Sequence, residues 1–172
     1  MVKVAFLGLG VMGYPMAGHL SSKKYDVTVY NRTFAKSKNW LIENNGQCAK
    51  TPALAARDAE FVFCCVGNDD DLRSILLGPD GALSNMGPGT VLVDHSTCSA
   101  KVAEEMYLIA KKQNVGFVDA PVSGGQPGAE NGRLTVMCGG DSESFERVKP
   151  VILSYAQTCS LMGHSGSGQL TK

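Results

Sequence analysis

Residues 2–13 read Val2-Lys3-Val4-Ala5-Phe6-Leu7-Gly8-Leu9-Gly10-Val11-Met12-Gly13, and their order decides the fold. A short apolar run is followed at once by GxGxxG and then by residues with helical spacing. The run has the pattern of a strand buried on both faces of a parallel sheet. Gly8 permits a tight turn, Gly10 lets the backbone approach a pyrophosphate, and Gly13 lets the following helix pack closely on the sheet. The start of that helix offers unpaired amide donors and the positive end of its dipole to an anion. GxGxxG alone is a weak signal, but between a strand and a helix it is a strong one. The whole loop, Leu9, Val11 and Met12 included, is the expected dinucleotide cradle.

The rest of the chain repeats the same alternation. Apolar runs recur at 27–30, 61–66, 90–93, 116–118, 134–138 and 159–162. Between them the spacing predicts helices over 12–22, 35–44, 69–77, 99–112 and 142–156. Strands that alternate with helices favour right-handed βαβ units. The expected fold class is therefore α/β, a Rossmann-type doubly wound and mostly parallel sheet with helices on both faces. Two stretches interrupt the pattern. Residues 120–133 hold Pro121, Gly124, Gly125, Pro127, Gly128 and Gly132, too many breakers for a regular element, and read as a functional or mobile loop. Residues 163–168, Gly-His-Ser-Gly-Ser-Gly, read on composition as a flexible tail.

The second expected strand ends at Tyr30, and Asn31-Arg32-Thr33 follows about 20 residues after the glycines, where a ribose selector belongs. A carboxylate there would accept from the 2′-hydroxyl of NAD, and none is present. Arg32 supplies a planar, permanently charged fork suited to a 2′-phosphate, with Thr33 and Lys36 nearby. The expected cofactor is NADP(H), preferred over NAD(H). Cys65 and Val66, at the end of the 61–66 run, complete the expected cofactor contacts on that side.

Composition limits the alternatives. The chain has 172 residues, 44% hydrophobic and 19% charged, the balance of a folded globular protein. Sixteen basic residues cancel sixteen acidic ones, so no overall field draws the chain to nucleic acid or an anionic membrane. The six cysteines show neither CxxC nor metal-ligand spacing, so they are expected as reduced thiols and no metal is expected. Glycines and Pro15 cut short the apolar N-terminus, and no run approaches a membrane span. The default compartment is the cytoplasm.

Three later segments, Asp94–Thr97, Asp119–Gly125 with Leu134–Met137, and Gly166–Lys172, stand in order behind Gly8–Gly13, and the four together resemble the β-hydroxyacid dehydrogenase family, which includes 3-hydroxyisobutyrate dehydrogenase and the tartronate and glyoxylate/succinic semialdehyde reductases. Gly8–Gly13 is similar to the family's cofactor loop, and Asp94-His95-Ser96-Thr97 to its DxST segment. Asp119-Ala120-Pro121-Val122-Ser123-Gly124-Gly125, with Leu134-Thr135-Val136-Met137, resembles its substrate-loop signature. Gly166-Ser167-Gly168-Gln169-Leu170-Thr171-Lys172 resembles its GxGxxxK motif. The resemblance implies that Thr97 contacts the nicotinamide half of the cofactor and that Ser96 lies beside the substrate. It implies that Ser123, Gly124 and Gly125 hold the substrate carboxylate, and that Lys172 is the general acid/base. The implied reaction is hydride transfer between nicotinamide and a small 3-hydroxy acid or a semialdehyde or glyoxylate-type substrate. The runners-up are a stand-alone NADP-binding module and the decarboxylating 6-phosphogluconate dehydrogenase branch. His95, at the variable position of DxST, reads as a strand-end residue and not as a catalyst.

The family's second, all-helical domain follows its catalytic lysine and supplies most dimer contacts, whereas this sequence stops at Lys172. The expected organisation is a dinucleotide-binding domain over 1–162, then a Gly-rich junction and the start of an interdomain helix over 163–172. The expected behaviour is NADPH binding without efficient turnover, with a small-molecule substrate and with homo-oligomers formed by the longer protein.

Overall fold

The computed structural model describes all 172 residues. Strand β1 (Lys3–Leu7) leads through the glycine loop into α1 (Gly13–Ser22), β2 (Asp26–Tyr30) into α2 (Phe34–Glu43), and a two-residue β3 (Gln47–Cys48) into α3 (Pro52–Ala56). The second half contains β4 (Phe61–Cys64), α4 (Asp69–Leu76), a 3₁₀ turn (Ala82–Asn85), β5 (Val91–Asp94), α5 (Ala100–Lys112) and β6 (Gly116–Asp119). It closes with β7 (Val122–Ser123), α6 (Gly125–Glu130), β8 (Leu134–Gly139), α7 (Ser142–Ile152), β9 (Ala156–Gly163) and α8 (Ser167–Thr171).

The strands form one sheet whose parallel part runs β3-β2-β1-β4-β5-β6. This is the doubly wound dinucleotide-binding order, in which the crevice lies beyond the carboxyl ends of the strands where the winding reverses, here between β1 and β4. Antiparallel pairing enters only at β8. β6 and β7 follow one another along one side of it, and β9 runs parallel on the other.

Strand periodicity explains the layers. Val4 and Phe6 of β1, Phe61 and Phe63 of β4, and Val91 and Val93 of β5 face one core with Met16, Leu20, Trp40, Phe145 and Ile152. Their neighbours Ala5 and Leu7, Val62 and Cys64, and Leu92 face the other, against Leu72, Leu76, Val102 and Met106. Helices α1, α2, α6 and α7 thus cover one face, and α3, α4 and α5 the other. Because both faces are covered, the central strands carry apolar residues at every position.

The structure corrects several local expectations. Residues 120–133 are not an irregular loop, since they hold β7 and α6. Gly124 (φ +131°) and Gly125 (φ +60°) make the turn between them, and Pro127 sits in the first turn of α6, where a missing N–H costs nothing. Residues 163–168 are not a loose tail. Gly163 ends β9, Gly166 (φ +92°) caps α8, and a Cβ on Gly168 would meet Met137 O at 2.5 Å, so α8 lies directly on the sheet. The helix expected to reach residue 156 ends at Ile152, which frees Tyr155 to bury its ring. All six cysteines are free thiols, and no helix is long and apolar enough to cross a membrane.

Candidate functional site

The carboxyl ends of β1, β2 and β4 open into a groove of about 720 Å³. It is lined by Gly8, Gly10, Val11, Met12 and Gly13 from the first loop, Asn31, Arg32 and Thr33 after β2, and Cys65 and Val66 after β4. The sequence thus named residues that meet in space. The three loop glycines have different reasons to be glycine. A Cβ on Gly8 would lie 2.2 Å from Cys65 O and one on Gly13 would lie 2.0 Å from Gly8 O, so both are fixed by internal packing. A Cβ on Gly10 would meet nothing within 4 Å. Gly10 is required by no contact inside the chain, and the amides of Gly10, Val11 and Met12 make no hydrogen bond within it. An open glycine and three free donors at the start of α1 fit a pyrophosphate.

Asn31 does not face outward as a free group. Its Oδ1 accepts the Leu9 amide at 2.9 Å and its Nδ2 donates to Thr33 O at 3.0 Å, so it ties the two loops together. Arg32 is 88% exposed on the groove rim, with its nearest acidic partner, Asp71, 3.8 Å away. Lys36 and Lys50 line the same groove. Lys50 was not singled out in the sequence, because nothing local distinguishes it from a solvated charge. Burial, then the Asp94 carboxylate, push the Cys65 thiol up to about 12, so this side chain is a neutral wall and not a nucleophile.

The ends of β5 and β6 form a second cluster, in which Asp94 and Asp119 are register partners. Asp94 is fully buried. Its Oδ1 accepts the Ser96 amide at 2.9 Å while Oδ2 has no partner, and burial raises its carboxyl to about 6. Ser96 is also buried, and its hydroxyl accepts the Val66 amide at 2.8 Å. It joins the end of β5 to the end of β4. Thr97 is exposed beside it. His95 is locked into the core, with Nδ1 2.7 Å from Ala120 O and Nε2 2.6 Å from the Tyr155 hydroxyl. Burial lowers its pKa to about 4. The ring is therefore neutral, with Nδ1–H donating to the carbonyl and Nε2 accepting from tyrosine.

Helix α8 is fastened to both strand ends. Asp119 accepts the Gly166 amide at 2.8 Å and the Gln169 amide at 3.0 Å. The Gln169 side chain donates to Ser96 O at 2.7 Å and accepts from Cys98 N at 3.2 Å. Sequence reasoning did not single out Gln169, since a glutamine on a Gly-rich stretch carries no signal of its partner 73 residues away. At the end of this helix, Lys172 Nζ donates to Val122 O at 2.5 Å. That carbonyl immediately precedes the exposed turn Ser123-Gly124-Gly125, where the amides of Gly124 and Gly125 have no partner in the chain. An ammonium, a hydroxyl and two free amides thus share one rim of the sheet, an arrangement suited to a small carboxylate with a reacting oxygen.

Comparison with known proteins agrees with this geometry. Residues 3–163 match the family model described as the NAD binding domain of 6-phosphogluconate dehydrogenase. The chain is 56% identical over 172 residues to an uncharacterized oxidoreductase of Shewanella frigidimarina, covering all of this chain and 59% of that protein. It is 41% identical over 170 residues to a probable 3-hydroxyisobutyrate dehydrogenase-like protein, mitochondrial, of Arabidopsis thaliana, covering 99% of this chain and 56% of that one. Among solved structures, Mycobacterium tuberculosis 3-hydroxyisobutyrate dehydrogenase with L-serine superposes with a TM-score of 0.93 at 29% identity, over 99% of this chain and 57% of that one. The chain thus spans less than three-fifths of the length of these relatives. Match, groove and strand order agree: the chain belongs to the β-hydroxyacid dehydrogenase family and corresponds to its NAD-binding domain.

Proposed function

We propose that the chain binds NADP(H) in preference to NAD(H) and belongs to an enzyme that moves a hydride between nicotinamide and a small 3-hydroxy acid or a semialdehyde or glyoxylate-type substrate. The observation that carries this reading is the contact of Lys172 Nζ with Val122 O, which brings the one lysine of the GxGxxxK motif to the Ser123-Gly124-Gly125 turn. The Gly10, Val11 and Met12 amides hold the pyrophosphate. Arg32, with Thr33 and Lys36, takes the 2′-phosphate. Val66, Cys65 and Thr97 border the path toward the nicotinamide end. The bound nicotinamide supplies or accepts the hydride.

On the protein side, Ser123 and the free Gly124 and Gly125 amides orient the substrate carboxylate. Lys172 leaves the Val122 carbonyl to donate to the carbonyl oxygen as it gains charge, and in the oxidative direction it takes the hydroxyl proton back. The role drawn for Ser96 becomes indirect. With its hydroxyl on the Val66 amide, Ser96 sets the floor between the cofactor and substrate turns. The relatives carry further chain beyond the matched part, and we assign closure over the substrate to it.

The 172-residue chain is expected to bind NADPH and to turn over glyoxylate or succinic semialdehyde slowly. A kcat of ~10 s⁻¹, ordinary for an enzyme, would overturn that expectation. When the chain is fused to the unmatched remainder of the Shewanella frigidimarina relative, Lys172→Ala is expected to lower kcat by about 10²- to 10⁴-fold with a smaller change in KM. An unchanged kcat would remove the acid/base role.

A further inference from the structure

The groove proposed for the cofactor carries a guanidinium and a carboxylate that face each other across 3.8 Å. The end of β2, where a dinucleotide domain specific for NAD places its carboxylate, holds Asn31-Arg32-Thr33 and no acid. A carboxylate enters the same groove from another element. Asp71, in the first turn of α4, lines it together with Arg32, with Oδ1 3.8 Å from Arg32 Nη1. Asp71 is seated by its surroundings. The Asn68 side chain caps the helix at the Asp71 amide, 2.8 Å away. Asp71 Oδ2 lies 2.9 Å from where a Cβ on Gly67 would stand, so the carboxylate rests over the Gly67 backbone. The neighbouring Asp70 differs, being 95% exposed and paired with Arg73 at 3.1 Å.

We propose that Asp71 is a specificity-determining residue that opposes Arg32. Its carboxylate accepts from the 2′-hydroxyl of NAD(H) and repels the 2′-phosphate of NADP(H), so the pair holds the cofactor preference below what Arg32 alone would impose. An exposed ion pair at this distance is weak, so a 2′-phosphate takes Arg32 away from Asp71 without being shut out. The displaced carboxylate stays in the groove, however, and repels the phosphate at short range. This inference rests on the proposal that Arg32 recognises the 2′-phosphate.

The test is calorimetric titration of the parent chain and of Asp71→Asn, Arg32→Ala and Asp70→Asn with NADPH and NADH, read as the ratio of Kd for NADH to Kd for NADPH. Asp71→Asn is expected to raise the ratio about three- to tenfold and Arg32→Ala to lower it about tenfold or more, changes within the range of single charge contacts. Asp70→Asn, the same charge change outside the groove, leaves the ratio within about twofold. Asp71→Ala gives the same sign if the effect belongs to the lost charge and not to a new amide contact. A ratio unmoved or lowered by both Asp71 variants overturns the proposal. If Arg32→Ala weakens both cofactors equally, the 2′-phosphate reading itself falls and takes this inference with it. If Arg32→Ala alone moves the ratio, only the role of Asp71 falls.

Discussion

Gly10 and Gly13 stand three positions apart in one loop, yet substitution at each meets a different obstacle. An alanine methyl at 13 would sit 2.0 Å from Gly8 O and 3.1 Å from the Phe6 ring. One neighbour is backbone of the turn that leaves β1 and the other a buried β1 side chain, so Gly13→Ala should destabilise the fold by ~3 kcal/mol or more. At Gly10 the methyl has open space, and stability should stay within ~0.5 kcal/mol of the parent while NADPH affinity falls sharply. Urea denaturation and cofactor titration separate the two. Gly10→Ala with undiminished NADPH binding would show that no phosphate approaches this backbone.

The buried pair Asp94 and His95 makes a pH prediction whose sign can be worked out. His95 titrates near 4 in the fold because burial disfavours its charge, against about 6.5 when unfolded. As pH falls through that window the unfolded chain takes up a proton the folded one refuses, and stability drops. Asp94 titrates near 6, chiefly through burial, against about 3.9 unfolded, so in nearly the same window the folded chain holds the extra proton and stability rises. The two slopes oppose each other. Asp94→Asn should therefore expose an acid loss on the order of 2 to 3 kcal/mol between about pH 6.5 and 4 that the parent lacks. His95→Gln should gain stability over that range relative to the parent. Denaturant midpoints followed against pH check both, and parallel profiles for parent and variants would refute the assignment. The sequence left His95 without an orienting partner, since Tyr155, 60 residues away, reaches it only through the fold.

Among the elements, α8 is held at its start by a single side chain. Asp119 carries two of its first amides, Gly166 and Gln169, although burial raises the Asp119 carboxyl above its ordinary range. Asp119→Ala leaves those donors without an acceptor, and the helix should loosen at a cost of about 1 to 3 kcal/mol. Hydrogen exchange over residues 166–172 should speed up far more than in β1, and uniform acceleration would mean that Asp119 supports the whole fold instead. Most elements were legible, because central strands give apolar runs and long helices give a 3.6-residue period. The exceptions have physical reasons. Helix α3 has five residues, four of them buried, and so presents no polar face to mark its period. Strand β3 has two residues at a sheet edge. Helix α6 is preceded by Gly124 and begins with Gly125, both at positive φ, with Pro127 two residues further on, residues that read as breakers but are tolerated before and within a first turn. The candidate site was legible where motifs are local, at Gly8–Gly13 and Ser123–Gly125. It was illegible where it depends on one side chain reaching a distant backbone, as with Gln169 and with the bond of the Ser96 hydroxyl to the Val66 amide.

At the scale of the whole molecule, β1, β4, β5 and β6 each send alternate residues into the two core layers, so neither layer survives without the sheet they share. The only tryptophan, Trp40, is fully buried in the α1/α2 layer, and its Nε1 donates to Tyr14 O at 3.3 Å. Its fluorescence and the far-ultraviolet circular dichroism should follow superimposable denaturation curves, as one cooperative unit requires. Dichroism lost before fluorescence would mean that α3, α4 and α5 come away first.

The fastenings along the carboxyl edge run Leu9 to Asn31, Val66 to Ser96, Ser96 and Cys98 to Gln169, Gln169 and Gly166 to Asp119, and Lys172 to Val122. Apart from the first, every link shares a segment with the next, and each is a side chain of one segment bonded to the main chain of another. Loops built this way are not interchangeable parts. A graft that exchanges the 122–125 turn to alter substrate choice must travel with Ser96, Asp119 and Gln169 as a cassette. Transplanted alone, the turn would arrive without the seating of the lysine it is meant to serve.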